Sequence, residues 1–133
     1  MSATISSINY CPVKSISFQN IDMCVIKKNI GIVGDRIFAF AKDLESNEAH
    51  LFEKSPEERK GKWNKILTLK NSPVLNKYNF LFKKNKLKLI SKEKEILTID
   101  VNNLSERQLL SDKIIELEKS LMEPIILMKN EEF

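Results

Sequence analysis

Histidine occurs once in the 133 residues, at His50, and cysteine twice, at Cys11 and Cys24. Two cysteines cannot build a disulfide scaffold, nor a zinc site from thiolates alone. Any Ser-His-Asp or Cys-His mechanism would have to use His50, so most hydrolase chemistries fit poorly. Glycine is scarce, with three in the chain. None opens the Gly-Lys-Ser/Thr ending of a P-loop, and the three-glycine dinucleotide spacing is missing. No apolar run approaches the roughly 20 residues that a membrane-spanning helix needs. Residues 1–10 have neither the basic start nor the apolar core of a secretory signal. These absences predict a cytoplasmic protein with no membrane span and one domain over residues 1–133.

What is present is a charge gradient. The net charge is +4. Residues 53–94 carry +9 and residues 95–133 carry −5, while the first 52 residues balance. A basic middle could attract an anion or a nucleic acid. Yet arginine occurs only three times, at Arg36, Arg59 and Arg107. Specific nucleic-acid readers lean on arginine forks and stacking aromatics, so a lysine-rich solvated face is the better reading.

The hydropathy pattern is mostly period two. Residues 5–10 predict a strand ending at Cys11-Pro12, because proline cannot donate to a ladder. A second alternating run covers residues 21–26. Residues 37–41 are continuously apolar, as a buried strand is. Residues 43–62 are polar and read as a long loop, with a short helical turn at 55–59 opened by Ser55-Pro56. Residues 66–69 predict another strand, and Asn71-Ser72-Pro73 a turn. Residues 79–82 and 86–90 flank Lys83-Lys84-Asn85 as a hairpin, and residues 96–99 add a third strand. One helix is expected at about 105–122, with Ser105 and Gln108 as a capping box and a stripe of Leu109, Leu110, Ile114, Leu117 and Leu121, stopped by Pro124. Residues 125–128 predict a last strand. The expected fold is mainly β, a short-stranded barrel-like α+β domain with one C-terminal helix.

Two segments carry chemistry: Tyr10-Cys11-Pro12-Val13-Lys14-Ser15 and Gly31-Ile32-Val33-Gly34-Asp35-Arg36. Lys14 offers a point charge at a strand end, and Ser15 a hydroxyl and a backbone N–H. Arg36 follows a glycine-bounded turn, and its fork suits a bidentate grip on phosphate. Taken alone, the same segments also read as a strand exit with a solvated lysine, and as a turn with Asp35 pairing a cation. His50 reads as a surface residue, and Trp63 either as a core lid or as a stacking platform.

Together the two segments resemble the N-terminal β-barrel domain of MOSC proteins. That domain precedes the MOSC domain in molybdenum-cofactor proteins such as the mitochondrial amidoxime-reducing components. Trp63, Lys65, Ile66-Leu67-Thr68-Leu69 and Asn71-Ser72-Pro73-Val74-Leu75 look like a further element of the bacterial branch, and the resemblance spans about residues 5–123. It implies that Lys14, Ser15 and Arg36 contact the phosphate end of the molybdenum cofactor (molybdopterin), with Asp35 orienting the turn. It implies no catalytic or metal-binding residue here, because the metal thiolate belongs to a following MOSC domain, absent from this chain. Cys11 departs from the polar or aromatic residue common in relatives, and reads as a small strand-end side chain. The implied role is to help form the cofactor and substrate cleft of a small oxidoreductase or sulfur carrier, non-catalytic by itself. The implied partners are the MOSC domain, in cis or in trans, and a redox protein. The alternative is a stand-alone, non-catalytic barrel module that binds a small anion or a partner protein.

Overall fold

A computed structural model describes residues 2–121 and 124–130, the side chains of Ser46, Pro56 and Trp63 excepted. The centre of the fold is a two-stranded antiparallel ribbon. Strand β5 (Phe38–Lys42) pairs with β9 (Ile125–Lys129), Phe38 opposite Lys129 and Lys42 opposite Ile125. Alternation splits the ribbon's two faces. Phe38, Phe40, Ile125 and Leu127 enter the main core, while Ala41 and Met128 turn to a second cluster with Phe52, Ala49 and Ile66. Both faces are therefore covered, which is why residues 37–41 read as continuously apolar.

The main core is closed by a meander of β6 (Tyr78–Lys83), β7 (Lys86–Ser91) and β8 (Lys94–Asp100). Its inner face is Tyr78, Phe80, Leu87, Leu89 and Ile99, all buried. Both connections are two-residue turns, Lys84-Asn85 and Lys92-Glu93, with positive φ at all four residues. This turn geometry matches the right-handed twist of the strands. Helix α2 (Leu104–Leu117) then packs Leu110 and Ile114 into the core.

Helix α2 starts and stops differently from the sequence expectation. Asn103, not Ser105, is the cap: its side chain accepts the Glu106 amide at 3.2 Å, and the Glu106 carboxylate accepts the Asp100 amide at 3.3 Å. The helix ends at Leu117, because Glu118 leaves helical geometry and turns its carboxylate to Lys77 Nζ (3.0 Å) and Tyr78 OH (3.2 Å). The stripe is correspondingly narrower than expected, with Leu109 and Leu117 exposed. The expected end at 122 lies outside the described residues.

The polar stretch 43–62 is not a loop. It holds helix α1 (Ser46–Lys54) and the 3₁₀ turn Pro56–Arg59. Residues 66–69 form no strand. Asn71 captures their polar groups, accepting the Thr68 amide at 2.9 Å and donating to the Ile66 carbonyl at 2.9 Å, and this side-chain capture competes with a ladder. Contact with β5 is reduced to an isolated antiparallel bridge of Ile66 to Ala41, with the Leu67 amide on Phe40 O at 2.8 Å.

The N-terminal third forms two further hairpins. Strand β1 (Ile8–Tyr10) pairs with β2 (Gln19–Ile21), and β3 (Ile26–Lys27) with β4 (Gly31–Ile32). Of the expected run at 21–26 only the ends are strand: Ile21 closes β2 and Ile26 opens β3, while residues 22–25 lie in neither sheet. Among the described residues the domain is mixed α+β, mainly strand with two helices, and its four sheets are small and open, not a closed barrel. Where a barrel would continue its ladder, side chains bridge instead. Gln19 accepts the Phe82 amide at 2.8 Å, Ser17 accepts the Phe80 amide at 3.2 Å, and Tyr10 OH donates to Phe82 O at 3.1 Å.

Glu118 makes stability depend on pH. Hydrogen bonding from Lys77 holds its carboxyl below the ordinary 4.5, with smaller help from Ser120 and Tyr78. A depressed acid contributes fully above its unfolded value and loses that contribution as pH falls through the folded one. Between pH 5 and 3 the protein should therefore lose part of its stability through this group. Chemical denaturation at both pH values should find the Glu118→Gln variant weaker at pH 5, with a shallower acid decline.

Candidate functional site

The site begins with a short parallel contact. Residues 12–14 run beside β5: Phe38 donates to Pro12 O at 2.9 Å, and Lys14 donates to Phe38 O at 2.8 Å. One step earlier, Arg36 donates to Cys11 O at 2.6 Å. The two motifs noticed in sequence are therefore laid side by side by backbone bonds. Asp35 locks them together. One carboxylate oxygen accepts the Cys11 amide at 2.9 Å, and the other faces Arg36 Nε at 3.2 Å. Gly34 is required at this place. Its φ is +93°, and a Cβ would meet the Tyr10 ring at 3.1 Å.

Lys14 and Arg36 both line one cleft of about 250 Å³. Its apolar wall is Ala39, Phe52, Ile66 and Met128, and Arg59, Lys129 and Asn130 also line it. Lys14 Nζ has no partner among the described residues, and Arg36 commits only Nε, to Asp35. The two terminal nitrogens of the Arg36 fork remain available. Such an arrangement can bind a small anion against an apolar wall. Ser15 does not line this cleft. It sits at φ +64° in the turn that follows Lys14, where Ile16 donates back to Val13 O at 3.1 Å.

Sequence reasoning missed Arg59 and Lys129. Arg59 donates to Phe52 O (2.6 Å) and Glu53 O (3.3 Å) at the end of α1, and to Asn130 Oδ1 (3.3 Å). The clue to it was arginine's rarity in this lysine-rich chain. Lys129 reaches the cleft as the last residue of β9, opposite Phe38.

The remaining chemically able groups have other work. Cys11 Sγ donates to Val13 O at 2.8 Å, and burial pushes its thiol pKa up, so it is neither a ready nucleophile nor a ready metal thiolate. Glu53 and Arg107 form an ion pair at 2.6 Å with both side chains almost fully covered. Glu53 also accepts the Lys129 amide at 2.9 Å. His50 is exposed on α1. The Trp63 side chain lies outside the described residues. Among the described residues no group of three or more His, Cys, Asp or Glu could hold a metal ion.

The lysines of the basic middle are dispersed. Lys83, Lys84 and Lys86 sit at one end of the meander, and Lys92 and Lys94 at the other. Six-residue strands put those ends about 20 Å apart, with Lys88 between them on β7. Among the described residues no helix is long and apolar enough to cross a membrane. No family model matches the chain, and no curated protein or solved structure matches it either.

Asp35→Ala should cost about 1–3 kcal/mol, because it leaves the Cys11 amide without its acceptor. Asp35→Asn should cost clearly less, since the amide oxygen can still accept. Urea denaturation of the two variants measures the difference.

Proposed function

We propose that this domain grips the phosphate end of a phosphorylated small molecule between Lys14 and Arg36. The observation that carries this reading is the convergence of those two cations, 22 positions apart, on one cleft. Phosphate chemistry favours the pair. An ammonium supplies a point charge, and the free end of the guanidinium fork supplies two directed N–H groups. Arg59 and Lys129 add positive charge to the same cleft. The apolar wall would receive the carbon framework that carries the phosphate.

In keeping with the resemblance to the MOSC N-terminal domain, the ligand proposed is the molybdenum cofactor's phosphate, in a protein whose MOSC domain completes the site. The residues present suit that end of the cofactor. They do not suit its metal, because Cys11 is committed to its own backbone and no metal-binding group occurs among the described residues. When bound, the cofactor would supply the redox chemistry of an oxidoreductase or the sulfur of a carrier. This chain would bind and orient the phosphate and line one side of the cleft.

A second reading is a stand-alone module for a small anion. It draws on the fact that residues of this chain alone already form a cleft with uncommitted cations. Molybdenum analysis of the protein purified from its source separates the two, since only the first reading expects the metal to co-purify.

Inorganic phosphate titrated into the ¹⁵N-labelled chain should shift the amide signals around Lys14 and Arg36. The Lys14→Glu/Arg36→Glu variant should lose those shifts while keeping its unfolding temperature within about 5 °C, because both side chains lack buried partners. A double variant that folds and still shows the wild-type titration would overturn the assignment.

A further inference from the structure

A second cavity, of about 190 Å³, lies between α1, α2 and β9 and shares no lining residue with the cation cleft. Ala49, Leu104 and Leu127 give it apolar walls, and Glu53 and Arg107 line it as an ion pair. Their side chains are only 11% and 12% exposed. One hydrogen bond joins the pair. Arg107 donates from Nη1 to Glu53 Oε1 at 2.6 Å, and its Nε is committed to Val101 O at 2.5 Å. Glu53 Oε1 also accepts the Lys129 amide at 2.9 Å. Arg107 Nη2 and Glu53 Oε2 are left over, and neither meets a partner among the described residues. Among those residues no side-chain polar atom is both buried and unpartnered, so these two atoms reach open space. The cavity that both residues line is that space.

We infer that this cavity binds a small neutral amide, a carboxamide or lactam carried on an apolar ring. An amide presents a carbonyl acceptor and an N–H donor side by side. The carbonyl would accept from Arg107 Nη2, and the N–H would donate to Glu53 Oε2. Charge selects the same class. The ion pair is neutral as a unit, so a charged ligand would bring an unbalanced charge into a covered site. A carboxylate would satisfy Arg107 but set an oxygen against Glu53 Oε2. An amidinium would satisfy Glu53 but set an N–H against Arg107. The volume suffices, since a cavity of about 150 Å³ already admits a benzene ring. The apolar walls would receive the ring.

Benzamide, benzoate and benzamidine share one shape and differ in this hydrogen-bonding edge. Each is titrated separately into the ¹⁵N-labelled chain. Benzamide should shift the amide signals of Ala49, Glu53 and Leu127 with a Kd on the order of 1 mM, as suits a ligand of its size. Benzoate and benzamidine should bind at least about tenfold more weakly, because each leaves one covered polar atom opposed. Glu53→Gln should invert the order. Its amide oxygen can keep Arg107 and the Lys129 amide, while its NH₂ puts a donor where the free acceptor was, so benzoate should now bind best. Should that variant fail to fold, the ranking of the three probes on the wild-type chain decides alone. Three results would refute the site: no shift at those signals up to about 20 mM benzamide, as in a cavity that holds only water; equal binding of the three probes, as in a merely apolar hole; or a folded Glu53→Gln chain that still prefers benzamide.

Discussion

The rest of the molecule hangs on the hydrogen bonding of β5. One edge is filled by β9 along five residue pairs. The other edge is shared by two short segments, residues 12–14 at Phe38 and residue 67 at Phe40. Both ring-bearing residues are also core anchors. Phe38 stacks edge-on against Phe82 at 5.2 Å, and Phe40 lies 6.0 Å from Phe80. The backbone that positions Lys14 is therefore held by a residue whose side chain is locked in the core. A cation on a strand end is ordinarily a flexible surface charge. Here its main chain is fixed by the same residue that fixes the packing.

The open architecture follows from how the other edges are satisfied. A barrel closes by continuing backbone ladders, which needs strands long enough to reach one another. Strands β1 to β4 are only two or three residues long. Side-chain amides and hydroxyls take over the missing contacts. Gln19 presents both an acceptor and a donor to Phe82, as a peptide group would, and Ser17 serves Phe80. This keeps β6 from being an exposed edge without adding a strand.

The contrast explains what the sequence made legible. Residues 37–41, the meander and the last strand are governed by local periodicity and turn chemistry, and the expectations for them agree with the structure within a residue or two. Helix α1 was hidden because its buried apolar contacts are few, chiefly Ala49 and Phe52, and its cap residue Glu45 makes no side-chain bond. Residues 66–69 look like a strand to any periodicity argument. Their fate is decided by Asn71, a neighbour whose effect depends on geometry and not on pattern. In the site, Lys14 and Arg36 were legible because Pro12 and Gly34 mark where the chain must stop and turn. Arg59 and Lys129 were not, because α1 and β9 bring them together only after the chain has folded.

That last point has an energetic basis in Glu53. Its carboxylate binds Arg107 and the Lys129 amide, and its carbonyl receives Arg59. One residue at the end of α1 thus connects α2, β9 and the turn at Pro56–Arg59, the last two carrying one cleft cation each. A buried ion pair is weak evidence for net stability, because desolvation offsets the attraction. Its value here lies in geometry. Removing Arg107 would leave a carboxylate almost fully covered and unpaired, a loss of about 3–5 kcal/mol for such pairs. The strain would be felt first at the Lys129 amide and the α1 terminus, both on the cleft. The cation pair that reads from sequence is held by β5, and the cations that do not read from sequence are held by Glu53. The cleft exists where those two independent supports meet.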